Sequence, residues 1–141
     1  MFYVQTENPK INRAADDAER FFQSLVKGEL GLPDFFTHTS KTPEEVIETI
    51  EATRLQKFPV REYTSSWFFR NTLGYYKDGV IHVNTRFSSR ADVAAVAGNL
   101  AHERCHAIGF KHKGNKPTAY NLKSVPYVIG YMCRDFVRNG F

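Results

Sequence analysis

Cysteine is scarce: Cys105 and Cys133 are the only two in 141 residues. Two cysteines cannot make a disulfide scaffold, and their spacing fits no all-cysteine zinc site. Both are expected as reduced thiols, with one bridge open to them if the helices that carry them pack together. No apolar run approaches the roughly 20 residues of a membrane span. The opening MFYVQTENPK has neither a basic n-region nor an apolar h-region, so it does not read as a secretory signal. The expectation is a chain that stays in the cytoplasm or is exported without a cleaved signal peptide. Lys/Arg blocks long enough to mark a nucleic-acid tail are absent. The net charge of +4 and pI of about 9.1 therefore read as a solvated basic surface, and nucleic acid is not an expected partner. Internal repeats and low-complexity stretches are missing too.

Aromatic residues, by contrast, are plentiful. Twelve Phe and seven Tyr let a small domain bury a large apolar area, and 42% apolar with 24% charged residues is a globular balance. The length suits one domain, 1–141. Within it, residues 1–57 read as a helical N-terminal part, 58–109 as a sheet followed by a long helix, and 110–141 as a C-terminal part.

The periodicity of Ala14, Ala18, Phe21, Phe22, Leu25 and Val26 predicts a helix from about Ile11 to Leu30, closed by Gly28, Gly31 and Pro33. Thr42-Pro43-Glu44-Glu45 combines a capping box with proline at the first helical position. It starts a second helix whose apolar face is Val46, Ile47, Ile50 and Leu55. Val60 to Thr64 reads as a strand. Leu73–Lys77 and Val80–Thr85 flank Asp78-Gly79, a strong hairpin signal. Ser89-Arg90-Ala91-Asp92 predicts a helix start with Asp92 in the place of the usual Glu or Gln. That helix runs to about Ile108, where Gly109 can supply a left-handed stop. A loop with Gly114, Asn115 and Pro117 leads to a last helix from about Pro126 to Arg138. Strands and helices are segregated, which is an α+β pattern.

The chemistry is concentrated in residues 102–112, which spell H-E-x-x-H-x-x-G-x-x-H and hold three of the five histidines. At about 100° per residue, His102 and His106 are about 40° apart on one helix face and can converge on one cation. Glu103 is turned about 100° from His102, beside such an ion and not on it. On an unbroken helix His112 would miss the ion by about 120°. Gly109 lets the chain leave the helix abruptly, so His112 can swing back as third ligand. Three protein ligands leave a fourth position for water, the catalytic arrangement of zinc. Val93, Val96, Ala97, Leu100, Ala107 and Ile108 line the opposite side. Arg104 falls in that apolar sector and must snorkel outward or pair with a carboxylate.

With this long motif the chain resembles the metzincins, zinc peptidases named for it and for a methionine-containing turn under the metal. The resemblance is strong over residues 102–112. It is looser over the order of hairpin, active-site helix, glycine exit and C-terminal helix, and it does not extend to residues 1–58. It implies a zincin-like α+β fold: a small mixed sheet with its β-hairpin packed on the active-site helix, N-terminal helices, and a C-terminal helix. It implies Zn²⁺ on His102, His106 and His112, with Glu103 as general base, and a peptide bound as an added strand beside the hairpin. Met132 is the one later methionine, in a stretch that reads as helix more than as turn. Some members place a tyrosine two residues after that methionine, where this chain has Arg134. Tyr127 and Tyr131 are the candidates to bond a developing oxyanion instead, with core aromatics as the alternative. His38 and His82 have no ligand spacing and read as surface histidines.

The reading is a zinc metallopeptidase that hydrolyses peptide bonds with a metal-activated water whose proton Glu103 accepts. Its expected partners are a protein or peptide substrate and an inhibitor or delivery partner, and the protein itself is expected as a monomer. Two alternatives stay open: an inactive zinc-containing binding module, and a zinc hydrolase of a non-protein amide such as a cell-wall peptide.

Overall fold

A computed structural model describes residues 1–140. Its elements are β1 (Phe2–Val4), α1 (Pro9–Val26), α2 (Pro43–Ala52), β2 (Phe58–Tyr63), β3 (Gly74–Lys77), β4 (Val80–Asn84), α3 (Thr85–Ser88), α4 (Val93–Ala107) and α5 (Val125–Asn139). The class is mixed α+β. The four strands form one open sheet in the order β1-β2-β4-β3. β1 and β4 run parallel to β2, and β3 lies antiparallel to β4 at the edge.

Local chemistry accounts for most of the boundaries. The Asn8 side chain caps α1 by accepting from the Lys10 and Ile11 amides, and Pro9 sits in the first turn. Gly28, at φ +76°, follows the end of that helix. The capping box at Thr42 forms as read, with Glu45 reaching back to the Thr42 amide. Leu55, however, lies beyond α2 and is exposed. The Thr53 and Arg54 amides bond three residues back, to the Ile50 and Glu51 carbonyls, so the helix tightens and ends before Leu55 can join its apolar face. Asp78 and Gly79 both take positive φ, +51° and +80°, the geometry that a two-residue hairpin needs. Ser89 does not cap α4. It closes the short α3, and Asp92 is itself the cap, accepting from the Ala95 amide at 2.8 Å. β1 has only three residues, too few for a period-2 signal, and it draws residues 2–4 into a sheet otherwise built from 58–84.

Alternation along the strands divides the sheet into two faces. Phe58, Val60, Ile81 and Val83 are buried, while Arg61 and His82 turn away from the core. The buried face meets α4, whose Val96, Ala97, Leu100 and Ala101 are fully enclosed between sheet, α1 and α5. α4 and α5 cross with their backbones nearly touching. A Cβ on Gly98 would come within 2.7 Å of the Gly130 carbonyl oxygen, and one on Gly130 within 3.2 Å of the His102 Cβ. Cys105 and Cys133 lie buried on these two helices as free thiols, their pKa raised by burial. No helix among the described residues is long and apolar enough to cross a membrane.

The core also holds a cation. Arg104 is 2% exposed and reaches across to Glu19 of α1 at 2.9 Å. Its guanidinium lies 4.3 Å from the Phe22 ring centroid, 4.6 Å from that of Phe58 and 5.2 Å from that of Phe2. The polar residue in the apolar sector therefore joins α4, α1 and the sheet through one ion pair and three aromatic faces. Removing one member of a buried pair strands the other. Arg104→Ala is expected to cost about 3–5 kcal/mol in urea unfolding. Glu19→Gln, at a partly exposed carboxylate, should cost less, about 1–3 kcal/mol. Losses below about 1 kcal/mol for both variants would rule out this anchoring role.

Candidate metal centre

α4 presents His102, Glu103 and His106 at the floor of an open cleft of about 930 Å³. The helix stops at Ile108, and Gly109 takes φ +105°. Phe110 then turns back into the core, 4% exposed, and its amide donates to the Cys105 carbonyl at 3.0 Å. A glycine exit followed by a buried apolar residue is a helix stop that reverses the chain. Two residues later His112 faces the other two imidazoles.

The three Nε2 atoms form a nearly equilateral triangle, with separations of 3.1, 3.1 and 3.2 Å. The opposite ring nitrogens assign the tautomers. His106 Nδ1 faces the Phe110 carbonyl at 2.9 Å and His112 Nδ1 the Gly114 carbonyl at 2.8 Å. Nδ1 of His106 and of His112 therefore carries the proton, and the Nε2 of each offers a lone pair. His102 Nε2 completes the triangle. Lone pairs aimed at one point repel unless a cation or a proton lies between them. Tetrahedral coordination with metal–nitrogen bonds of about 2.0–2.1 Å sets neighbouring nitrogens about 3.3–3.4 Å apart. The observed triangle is within about 0.3 Å of that. The residues fit a metal ion, and the backbone carbonyls supply the outer hydrogen bonds that hold imidazole ligands in orientation.

Around the triangle the electrostatics run in two directions. Burial lowers all three histidine pKa values, with His102 pushed to about 3 by burial and by its two histidine neighbours. Neutral imidazoles are the form that binds a cation. Burial raises the Glu103 carboxyl to about 7, against an opposing hydrogen bond from the Tyr76 backbone. Among the described lining residues of the cleft Glu103 is the one acid, and Lys111 and Arg134 are the cations outside the histidines.

Tyr127 stands over the triad with its ring centroid 4.8 Å from those of both His102 and His112. Burial, followed by Tyr131 and Glu103, raises its hydroxyl pKa, so it stays a proton donor. Tyr131 is farther out, 6.1 Å from Tyr127, and half exposed at the cleft wall. Met132 lies in the middle of α5, partly buried against the core, and forms no turn beneath the triad. His82 stacks on Tyr75 at 4.5 Å, outside the triad. His38 is likewise outside it. The histidine spacing did not disclose Tyr76 or the aromatic wall of Phe68 and Phe69, which enter the cleft from the hairpin and the preceding loop, and only their tertiary position marks them. Asn99, also unremarked, lies on α4 one turn before His102.

The chain matches no protein-family model, no curated protein and no solved structure.

Zinc added to chelator-stripped protein is expected to bind one ion per chain and raise Tm, and His102→Ala should lose both effects. Without metal, the three lowered histidine pKa values mean that the unfolded chain takes up protons first as pH falls below 6.5. Glu103, raised from its ordinary 4.5 to about 7, acts the other way and stabilises the folded chain as pH falls through that window. Removing either group should therefore tilt the pH dependence of the stripped protein in opposite senses: between pH 7 and pH 5, relative to wild type, the urea midpoint should rise in His102→Asn and fall in Glu103→Gln. Identical pH dependence in the two variants would contradict this balance.

Proposed function

We propose that the protein is a zinc-dependent endopeptidase of metzincin-like, zincin-like build. One observation carries the proposal: three imidazole Nε2 atoms converge beside a buried carboxylate at the floor of an open cleft. The ligand chemistry, three nitrogens with room for a fourth ligand, favours zinc among the common divalent ions. The glycine exit at Gly109 and the edge position of β3 also support the likeness. No further strand covers the outer side of β3 among the described residues, and Gly74, Tyr75 and Tyr76 line the cleft there. An extended peptide can add to that edge by main-chain hydrogen bonds. The helix through Met132, where the family has a turn, is the main departure, and Tyr127 instead packs its ring against His102 and His112.

Zinc in the site supplies a Lewis acid for a scissile carbonyl and makes water acidic enough to attack near neutral pH. Glu103 takes the proton of the attacking water and passes it to the leaving amine nitrogen. A carboxyl whose burial opposes ionisation both accepts and releases a proton readily around neutrality. The Tyr127 hydroxyl donates a hydrogen bond to the carbonyl oxygen as charge develops on it. The rim of Phe68, Phe69 and Tyr131 offers apolar surface to flanking substrate side chains.

The test is a proteome-wide screen for new peptide termini, followed by kinetics on a substrate it identifies. Cleavage should stop with a chelator and return with zinc. Glu103→Gln should lower kcat/KM by about 10²–10⁴ while keeping one zinc per chain. Tyr127→Phe should lower kcat by about 10²–10³ with KM little changed. Full activity in Glu103→Gln, or zinc binding without cleavage of any peptide, would replace this reading with a binding module or a hydrolase of another amide.

A further inference from the structure

His112 is the least anchored of the three ligands. His102 and His106 ride on a helix, whereas His112 sits in the irregular stretch between α4 and α5. Its ring is oriented by the Gly114 carbonyl at 2.8 Å, and Gly114 itself takes φ +68°. What fixes that carbonyl is Asn121, 2% exposed at the start of a single 3₁₀ turn, Asn121–Lys123. Its Nδ2 donates to the Lys113 carbonyl at 2.6 Å and to the Lys116 carbonyl at 2.9 Å. Its Oδ1 accepts from the Lys113 amide at 3.1 Å and faces His38 Nε2 at 2.8 Å. All four hydrogen-bonding positions of the amide are used, and the partners fix its orientation. Three of them bracket Gly114.

His38 comes from the N-terminal part of the chain, which sequence reading could not connect to the motif. It is delivered by a parallel bridge between Thr37 and Ser124. The Thr37 amide donates to the Lys123 carbonyl at 3.0 Å, and the Thr37 hydroxyl to the Tyr120 carbonyl at 2.6 Å. The His38 ring packs edge-on to Tyr120 at 4.7 Å. His38 takes φ +61°, a conformation that a residue with a Cβ keeps only where its surroundings hold it. Because Asn121 Oδ1 is an acceptor, His38 must present its Nε2 proton.

We infer that His38 and Asn121 form a clamp that positions the third ligand, so that segment 37–38 sets the metal affinity of a site it does not touch. The inference rests on the metal-site reading above. Outer-sphere partners of ligating histidines typically contribute 10- to 100-fold in metal affinity. The clamp acts one step further out, through the loop that carries the accepting carbonyl.

The test uses the full chain, with zinc affinity from competition against a chromophoric chelator and the visible spectrum of the cobalt(II) form. Asn121→Ala and His38→Leu should each weaken zinc by about 10- to 100-fold. Their cobalt spectra should shift toward that of His112→Ala. His38→Gln, which keeps a side-chain N–H donor, should recover most of the affinity and the spectrum. A purely structural role would lower the metal-free Tm of His38→Leu and leave its cobalt spectrum unchanged, which would overturn the clamp. Unchanged affinity in both variants would do the same with the metal site intact. If Asn121→Ala does not fold, the His38→Leu and His38→Gln pair decides alone. Wild-type protein that binds neither zinc nor cobalt would overturn the metal reading itself, and the clamp with it.

Discussion

Three imidazole nitrogens about 3 Å apart, each facing inward, are the constraint around which this molecule is organised. In isolation the arrangement is unfavourable. It is held in place because the His106 and His112 rings are each fixed from behind by a backbone carbonyl that takes up the other nitrogen's proton, and because His102 shares the α4 face with His106. Such a geometry could hold a cation at its centre. The cost of convergence is spread over a helix end, a loop and the first turn of another helix, and each of those has to be fixed before the triangle can form.

α4 does most of that fixing because it has two active faces. One carries His102, Glu103 and His106 into the cleft. The other carries Val96, Leu100 and Arg104 into the core. Arg104 is costly to bury, and its position among three aromatic rings and the Glu19 carboxylate offsets that cost. The same contacts hold the rotational setting of the helix, which decides where its histidines point. On the adjoining side, Gly98 and Gly130 let α5 approach closely enough for Tyr127, one turn earlier, to lie over His102 and His112. Larger residues at either glycine would push that ring away from the site.

Phe110 links the two tasks in a single residue. Its ring returns to the core and forces the chain to reverse after Gly109, while its carbonyl orients His106. Packing and the geometry of the histidine cluster are thus coupled at one position, with the convergence of the rings following from hydrophobic burial just outside it. His112 lacks an equivalent apolar anchor, so its loop relies on the saturated amide of Asn121 and on the strand-like bridge at Thr37.

The local sequence determined the elements whose cause is local. The capping box at Thr42, the turn at Asp78-Gly79, the glycine stop at Gly109 and the common face of His102 and His106 each depend on a few neighbouring residues, and all appear where the pattern puts them. That His102, His106 and His112 could gather with Glu103 beside them was legible for the same reason. Short-range patterns were weaker where two signals competed, as at Ser89 against Asp92, or where an element was as brief as β1. Tertiary structure alone decided that Arg104 meets Glu19 across 85 positions of chain, that Tyr127 and not Tyr131 faces the triad, and that His38 reaches Asn121. Those contacts join segments far apart in sequence, and no periodicity encodes them. They depend on how closely two helices can approach and on which buried polar group finds a partner when the core closes.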